Sequence, residues 1–290
     1  MSESTPLSKV AVLLVPGSAK SDPEFGQEFR ATVAERFEKE IGRPEALDQL
    51  VFEVVSWPTL FAPRLEDLWF RLTAGPTLAY HDLRQFMLHF AASAAAYQDR
   101  GRQSEIYWDV HSAFVDALAR LRERAGPSAA LCVVAHGLGC VMASNFLWDL
   151  QHARGRANDS PLERGETLAL LTTMGSPQSL WGLGYPDFGE PIAFPAPALD
   201  RHYPRVWTQW QNLFDKDDVL AFPLQTLNDR YARVVLDREV NVGGFLTGNT
   251  PASHAFYWAD AAVARLVAGD IAHLWLGMNE ELLVAPTPAE

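Results

Sequence analysis

The chain has 290 residues, of which 48% are hydrophobic, so a large core can be buried. Its 24 Lys and Arg against 36 Asp and Glu give a formal net charge of −12, which disfavours nucleic acid and anionic membrane surfaces as partners. Because no run of about 18 apolar residues is present, and because residues 1–6 lack the features of a signal peptide, we expect a cytoplasmic protein without a membrane partner.

Apolar runs and helical periodicities then alternate along the chain. Val10–Val15 is a continuous apolar run, which is typical of a strand buried on both faces of a parallel sheet. Similar runs predict further strands at residues 51–56, 131–135, 168–174, 206–214 and 231–236. Apolar residues at helical spacing predict helices at 25–41, 65–72, 83–96, 106–121, 138–150 and 254–267. This alternation predicts an α/β fold, with a doubly wound, mainly parallel sheet in a single domain over residues 1–290.

Two segments between these elements are candidates for a cap over a pocket. Residues 57–104 are helical in pattern and rich in aromatic side chains. Residues 176–204 carry six prolines, which exclude a regular helix, and several aromatic residues, which argue against disorder. An irregular surface loop packed by its own aromatic rings is the alternative for this second segment. Because it follows the carboxyl end of a strand, where parallel sheets place their sites, we expect Trp181 and Tyr185 to contact a substrate.

The most informative segment is residues 133–140, with the sequence VVAHGLGC. A predicted strand is followed at once by a predicted helix, and the small residues Ala135 and Gly139 flank Gly137 two positions away on either side. This spacing is typical of a nucleophile elbow, in which a sharp turn crowds the backbone. A glycine-rich phosphate loop is the alternative, but the segment lacks the Lys-Ser/Thr of a P-loop and the Gly-x-Gly-x-x-Gly spacing of dinucleotide sites.

The segment resembles the Ala/Gly-His-Ser-Leu-Gly elbow of α/β-hydrolase esterases and lipases, and the order of elements is similar over nearly the whole chain. The resemblance implies the α/β-hydrolase fold and a serine hydrolase that acts on carboxylic esters through a Ser/His/Asp triad. The chain departs from the family pattern at the central position, because Gly137 stands where the family has its nucleophilic serine.

The resemblance also implies the other two members of the triad, since the family order is nucleophile, acid, then histidine. Asp218 best matches the acid, because Asp-Val with a proline shortly after it resembles the family's loop. Asp215 and Asp217 remain alternatives, and a solvated acidic turn fits at least one of the three. His254 opens the last long predicted helix, where the family places its base. The remaining histidines are interpreted as surface or packing residues.

An oxyanion hole needs two backbone N–H groups directed at the developing negative oxygen. The residue after the nucleophile, here Leu138, normally supplies one of them. The resemblance assigns the second to the N–H of Ser18, in the loop after the first strand, with Gly17 and Ala19 as alternatives. Neither a metal nor an organic cofactor is predicted, because no His, Cys and carboxylate residues occur with ligand spacing.

Without a hydroxyl group at position 137 the chain cannot form an acyl-enzyme. The retained acid, base and oxyanion loops favour an inactivated variant of a serine esterase, whose substrate would be a small-molecule ester with an apolar or aromatic part. A natural pseudoenzyme that binds or regulates is the second hypothesis. A non-hydrolytic enzyme of the same fold, in which His254 acts alone as a base, is the third.

Overall fold

The computed structural model describes residues 7–18, 24–75, 77–98, 101–154, 159–244 and 250–284. Its centre is one parallel sheet of six strands in the order β2-β1-β3-β4-β5-β6. The strands are β1 (Val10–Val15), β2 (Leu50–Val54), β3 (Ala130–His136), β4 (Leu168–Met174), β5 (Gln209–Phe214) and β6 (Val235–Glu239). All residues of β1, β3 and β4 are buried, which agrees with the continuous apolar runs that predicted them.

Helices flank this sheet in two groups. The helices are α1 (Gln27–Ile41), α2 (Pro58–Thr73), α3 (His81–Gln98), α4 (Glu105–Ala125), α5 (Leu138–Gln151), α6 (Gln178–Trp181), α7 (Asp229–Val234) and α8 (Ala261–Val284). Helix α1 packs along α8, whereas α4 packs against α3, α5 and the strands β1 and β2. The predicted α/β class with a parallel sheet and flanking helices is therefore confirmed.

The direction in which strands are added to the sheet changes at β1. The chain passes from β1 to its neighbour β2 and then returns to place β3 on the other side of β1. Right-handed crossovers in opposite directions put their helices on opposite faces of the sheet. In such sheets ligand sites lie beyond the carboxyl ends of the strands at the point of reversal, here the ends of β1 and β3.

Two predicted elements differ from the structure. Residues 231–236 were expected to form a strand, but Asn228 caps a short helix by accepting hydrogen bonds from the N–H groups of Arg230 and Tyr231, so the strand begins only at Val235. The predicted helix at 254–267 begins instead at Ala261, because the Asp260 carboxylate accepts hydrogen bonds from the first N–H groups of the helix. His254 consequently lies in a 3₁₀ turn, Pro251–Ala255, ahead of the helix.

The two cap candidates add no strand to the sheet in their described parts. Residues 57–104 form α2 and α3, and residues 176–204 form α6 and several single 3₁₀ turns. The six prolines of the second segment agree with the absence of longer helices in it. Whether either segment acts as a cap, within one domain, stays a prediction.

Helix α8 contains a stretch, Ala261–Glu280, that is long and apolar enough to cross a membrane by length and composition. However, 44% of this stretch is buried inside the structure, and α8 packs against α1 and β4. Core helices pass the same test, so this finding is weak evidence for a membrane span.

Candidate functional site

The site begins at the junction of β3 and α5. β3 ends at His136, Gly137 has φ 49° and ψ −129°, and α5 begins at Leu138. L side chains rarely adopt this conformation, so it favours glycine or a residue held under strain. A Cβ atom at Gly139 would lie 2.4 Å from the carbonyl oxygen of Pro16, which explains why this position must lack a side chain. The chain therefore makes a sharp strand–turn–helix junction, pressed against the loop after β1.

His254 and Asp218 form a buried pair beside this junction. The Nδ1 atom of His254 lies 2.8 Å from Oδ2 of Asp218, and both side chains are almost completely shielded from solvent. A carboxylate only accepts hydrogen bonds, so Nδ1 carries the proton and Nε2 is left as a proton acceptor. This arrangement gives His254 the tautomer that a general base requires.

Nε2 of His254 faces position 137. A Cβ atom built on Gly137 would lie 3.1 Å from Nε2 and 3.1 Å from the carbonyl oxygen of Gly17. A side chain at this position would thus emerge between the base and the loop after β1. These contacts are tighter than ordinary van der Waals distances, so a residue larger than glycine requires a small shift of its neighbours.

Asp218 is held by partners other than His254. Its Oδ2 accepts a hydrogen bond from the Tyr257 hydroxyl at 3.1 Å, and its Oδ1 accepts one from the Leu220 N–H at 3.0 Å. Burial acts to raise the pKa of Asp218, but the hydrogen bond and charge of His254, with these two donors, outweigh it and hold the pKa below its usual value. The carboxylate is thus kept ionised opposite the histidine.

The neighbouring acidic residue Asp215 has a different task. Its Oδ1 accepts the N–H of Asp217 at 2.8 Å, and its Oδ2 accepts the N–H of Val242 at 2.7 Å. Both oxygens are therefore engaged in holding the backbone of the loop. Of the three acidic residues left open by the sequence, the structure brings Asp218 to His254.

His136 joins the junction of β3 and α5 to the loop that carries His254. Its Nε2 donates a hydrogen bond to the carbonyl oxygen of His254 at 2.9 Å, and the two imidazole rings lie 4.7 Å apart. Burial, reinforced by repulsion from His254, lowers the pKa of His136 to about 3. A neutral His136 therefore contributes a hydrogen bond and a packed ring, but no charge.

The other predicted site residues lie in different settings. Leu138 is the first residue of α5, and the first N–H groups of a helix have no acceptor within it. Ser18 is exposed in the loop after β1, and Ala19 lies outside the described residues. Trp181 packs against Phe90 of α3 with ring centroids 6.5 Å apart. Tyr185 is 63% exposed and has no hydrogen bond or ring contact with His254 in the described part of the chain.

Two residues near the pair were missed by the sequence reasoning. Tyr257 contacts Asp218 through its hydroxyl, which also accepts the Asp215 N–H at 2.8 Å. Phe86 of α3 places its ring against the His254 ring, edge to face, with centroids 5.7 Å apart. Tyr257 follows His254 by three residues, so the sequence gives a weak indication that it lies near this histidine. Phe86 belongs to an apolar helical stripe, and such a stripe does not show which residue each member contacts.

Comparison of the chain with models of protein families, with curated proteins and with solved structures gave no match. Among the described residues, no group of three or more His, Cys, Asp or Glu side chains could hold a metal ion. In the geometry of the site, a buried carboxylate orients a histidine whose free nitrogen faces a strained position at the start of a helix.

Proposed function

We propose that the chain carries the site of an α/β-hydrolase-type carboxylic ester hydrolase, in which a serine at position 137 is the nucleophile of the active form and Gly137 inactivates the present one. The observation that carries this proposal is the position of His254 Nε2, 3.1 Å from where a Cβ at 137 would lie, with Nδ1 bonded to Asp218. This is the relation between base, acid and nucleophile that acyl transfer requires.

Each residue has a role in the proposed reaction. A serine hydroxyl at 137 gives its proton to His254 Nε2 as it attacks the ester carbonyl, and Asp218 balances the resulting imidazolium. The N–H groups of Leu138 and Ser18 stabilise the oxyanion. His254 then returns the proton to the oxygen of the departing alcohol, and water releases the acid in a second round of the same chemistry.

The proposed substrate is a small ester with an apolar or aromatic part. Phe86 packs on the base itself, and Trp181 packs on Phe90 of the same helix. Apolar side chains that remain beside the reacting atoms favour an apolar substrate group, because burying a polar group there without a hydrogen-bond partner costs free energy.

The decisive experiment restores the hydroxyl group. Gly137→Ser is expected to react covalently with a fluorophosphonate and to hydrolyse p-nitrophenyl acetate at least about 10³-fold faster than the glycine chain, since loss of such a nucleophile costs roughly 10⁶ in turnover. Gly137→Ala is the matched control, because it adds the Cβ and its strain without the hydroxyl. Adding His254→Ala to the serine variant should remove the reaction. A folded serine variant that neither labels nor hydrolyses would contradict the proposal.

Gly137 itself favours a second candidate, a binding protein on the same scaffold. In that case the glycine chain binds its ligand and the serine variant gains no reactivity toward esters. A non-hydrolytic enzyme with His254 as its base predicts turnover by the unmodified chain instead. Product analysis on the glycine chain, with His254→Ala as control, separates these two outcomes.

A further inference from the structure

One face of α3 lies over the candidate base. Leu83, Phe86, Met87 and Phe90 are spaced three, one and three residues apart, which places them on one side of the helix. Phe86 contacts the His254 ring, and Phe90 contacts Trp181. Between and beside these contacts, Leu83 is 58% and Met87 is 47% exposed. We call these four residues the α3 face.

The chemistry of the base constrains what can lie against this face. Nε2 is the nitrogen that must return a proton to the oxygen of the departing alcohol, because Nδ1 is occupied by Asp218. The group attached to that oxygen must therefore lie beside the His254 ring. Phe86 already packs on this ring, so the alcohol part of the ester, rather than its acyl part, is the part closest to the α3 face.

The character of the α3 face restricts the alcohol. All four side chains are apolar or aromatic and offer no hydrogen bond, so a sugar or a charged alcohol would lose hydration without compensation. An aromatic ring, in contrast, can meet Phe86 edge to face and cover Leu83 and Met87.

The dimensions favour a small molecule. From Leu83 to Phe90 the helix rises about 10 Å, and because a helix is about 10 Å across, this face covers roughly 100 Å². A stable protein partner covers roughly 800 Å² on each side, which is far more.

We propose that the substrate is an ester of an aryl or benzyl alcohol and that the α3 face selects this alcohol. The inference rests on the proposed function and narrows it. The acyl–oxygen bond breaks, the alcohol oxygen takes the proton from His254 Nε2, and the apolar alcohol leaves along the α3 face. Phe86 is then a specificity-determining residue that acts on the leaving group.

The first test uses the chain as it stands and needs no catalysis. Benzyl alcohol is titrated into the protein while chemical shifts are followed, and saturable binding is expected. Phe86→Ala is expected to weaken this binding at least about fivefold. Phe70→Ala, at a phenylalanine of α2 that is 70% exposed, is the matched control and should change it less than twofold. If Phe86→Ala does not fold, Met87→Gln replaces it in the test and is likewise expected to weaken the binding of benzyl alcohol.

The second test uses the Gly137→Ser variant. The ratio of kcat/KM for benzyl acetate over ethyl acetate should fall about tenfold in Phe86→Ala, while the ratio for benzyl hexanoate over benzyl acetate stays within about twofold. A change confined to the acyl series, or no change in either ratio, overturns the inference, as does the absence of saturable benzyl alcohol binding. If the serine variant is inactive but still binds benzyl alcohol in a manner that depends on Phe86, the proposed hydrolase activity is wrong. The proposed binding of an alcohol at the α3 face is then supported.

Discussion

Buried Asp–His pairs lie near both ends of α5, and their geometries differ. Close to the start of α5, Nδ1 of His254 is 2.8 Å from Oδ2 of Asp218, and Nε2 faces position 137. Near the end of α5, Nδ1 of His111 is 3.7 Å from Oδ2 of Asp149, and Nε2 lies 3.2 Å from the Tyr97 hydroxyl. The second histidine therefore has no hydrogen bond to its carboxylate, and its Nε2 is taken up by a tyrosine hydroxyl.

The partners of the two carboxylates explain this difference. Asp149 binds Arg102 at 2.6 Å and receives the Tyr107 hydroxyl at 2.7 Å, so its charge is already balanced. Burial, helped by Arg102 and only partly opposed by Asp149, lowers the pKa of His111 to about 4. Besides His254, the groups that donate hydrogen bonds to Asp218 are a hydroxyl and a backbone N–H, and both are neutral. Of these two pairs, the one whose acid is not bound by an arginine has the geometry of a base with an orienting acid.

One cleft formed by described residues lies away from His254. A cleft of about 170 Å³ lies beside the Asp149 pair, lined by Trp108, Phe146, Leu150 and neighbouring residues. We nevertheless propose the Asp218 pair as the functional one, because, of these two histidines, it is His254 whose free nitrogen faces position 137. Volume shows where a molecule fits, whereas the hydrogen bonds of the histidine decide whether a proton can move.

The largest expected effect is a loss of activity, and it distinguishes Asp218 from Asp149. In the Gly137→Ser protein, Asp218→Asn should lower kcat by about 10³- to 10⁴-fold, because an amide cannot hold the imidazole tautomer or balance its charge. Asp149→Asn should change kcat less than about twofold, since Asp149 touches neither base nor nucleophile. Steady-state ester hydrolysis measures both. If Asp215→Asn is damaging while Asp218→Asn is silent, the acid has been misassigned.

Asp149→Asn should instead lower the stability of the protein. Asp149→Asn leaves Arg102 without its partner, and breaking a buried pair costs about 3–5 kcal/mol. Because the Arg102 side chain is partly exposed, we expect about 2–3 kcal/mol, measured by urea unfolding. Asp67→Asn, in an exposed pair with Arg71, is the control and should cost below about 0.5 kcal/mol. Equal costs for Asp149 and Asp67 would refute the structural role.

Asp270 is a partly buried carboxylate without a histidine partner, and it tests how burial alone changes the ionisation of a carboxyl group. Burial, opposed by Arg238 and a hydrogen bond from Gln211, raises the pKa of Asp270 from 3.8 to about 6. The folded state thus binds the proton more tightly, so its stability falls as the pH rises from about 4 to about 6 and stays lower above that range.

The matching variant is Asp270→Asn, which cannot ionise. It should be more stable than the parent by about 2–3 kcal/mol at pH 7 and equally stable below pH 4, because the shift is about two pKa units and each unit corresponds to about 1.4 kcal/mol. Urea unfolding at both pH values checks this. A gain that is the same at pH 4 and pH 7 would mean that packing, and not ionisation, is the cause.

A smaller effect should follow from loosening His254 at its backbone. His136→Phe removes the donor to the His254 carbonyl and keeps a ring, and it should lower kcat about tenfold in the Gly137→Ser protein with KM unchanged. His136→Gln restores a donor and should recover most of the loss. If both variants lose only thermal stability, while kcat and its pH profile stay unchanged, His136 is not a positioning residue.

The smallest expected effect concerns position 137 itself. Gly137→Ser and Gly137→Ala should each lower the free energy of unfolding by about 1 kcal/mol, because a side chain is strained at φ 49° and meets Gly17 and His254 at 3.1 Å. Melting curves would show a decrease of a few degrees. Equal or higher stability of both variants would mean that the junction is unstrained.

Local patterns determined the class of the fold and the position of the junction. The apolar runs at Val10–Val15 and Leu168–Met174 are signatures of fully buried strands, and burial is a property that each run carries in its own residues. The small residues around Gly137 also reflect a local constraint, because the crowded backbone leaves no room for larger side chains there. These features could therefore be predicted without knowing their neighbours in space.

Other elements were decided by contacts that periodicity does not report. The strand expected at 231–236 failed because the Asn228 side chain captured two N–H groups and started a helix. Phe86 looked like any member of an apolar stripe, and only the packing of α3 over the base distinguishes it.

The choice among the three acidic residues after β5 also needed the tertiary structure. Asp215 is engaged by the N–H of Val242, which lies 27 residues further along the chain, and Asp218 is met by a histidine 36 residues further along. The sequence by itself determined that an acid follows this strand and that a histidine comes late in the chain. Which carboxylate meets the histidine depends on how two distant loops pack, because a hydrogen bond forms between neighbours in space, whatever their separation along the chain.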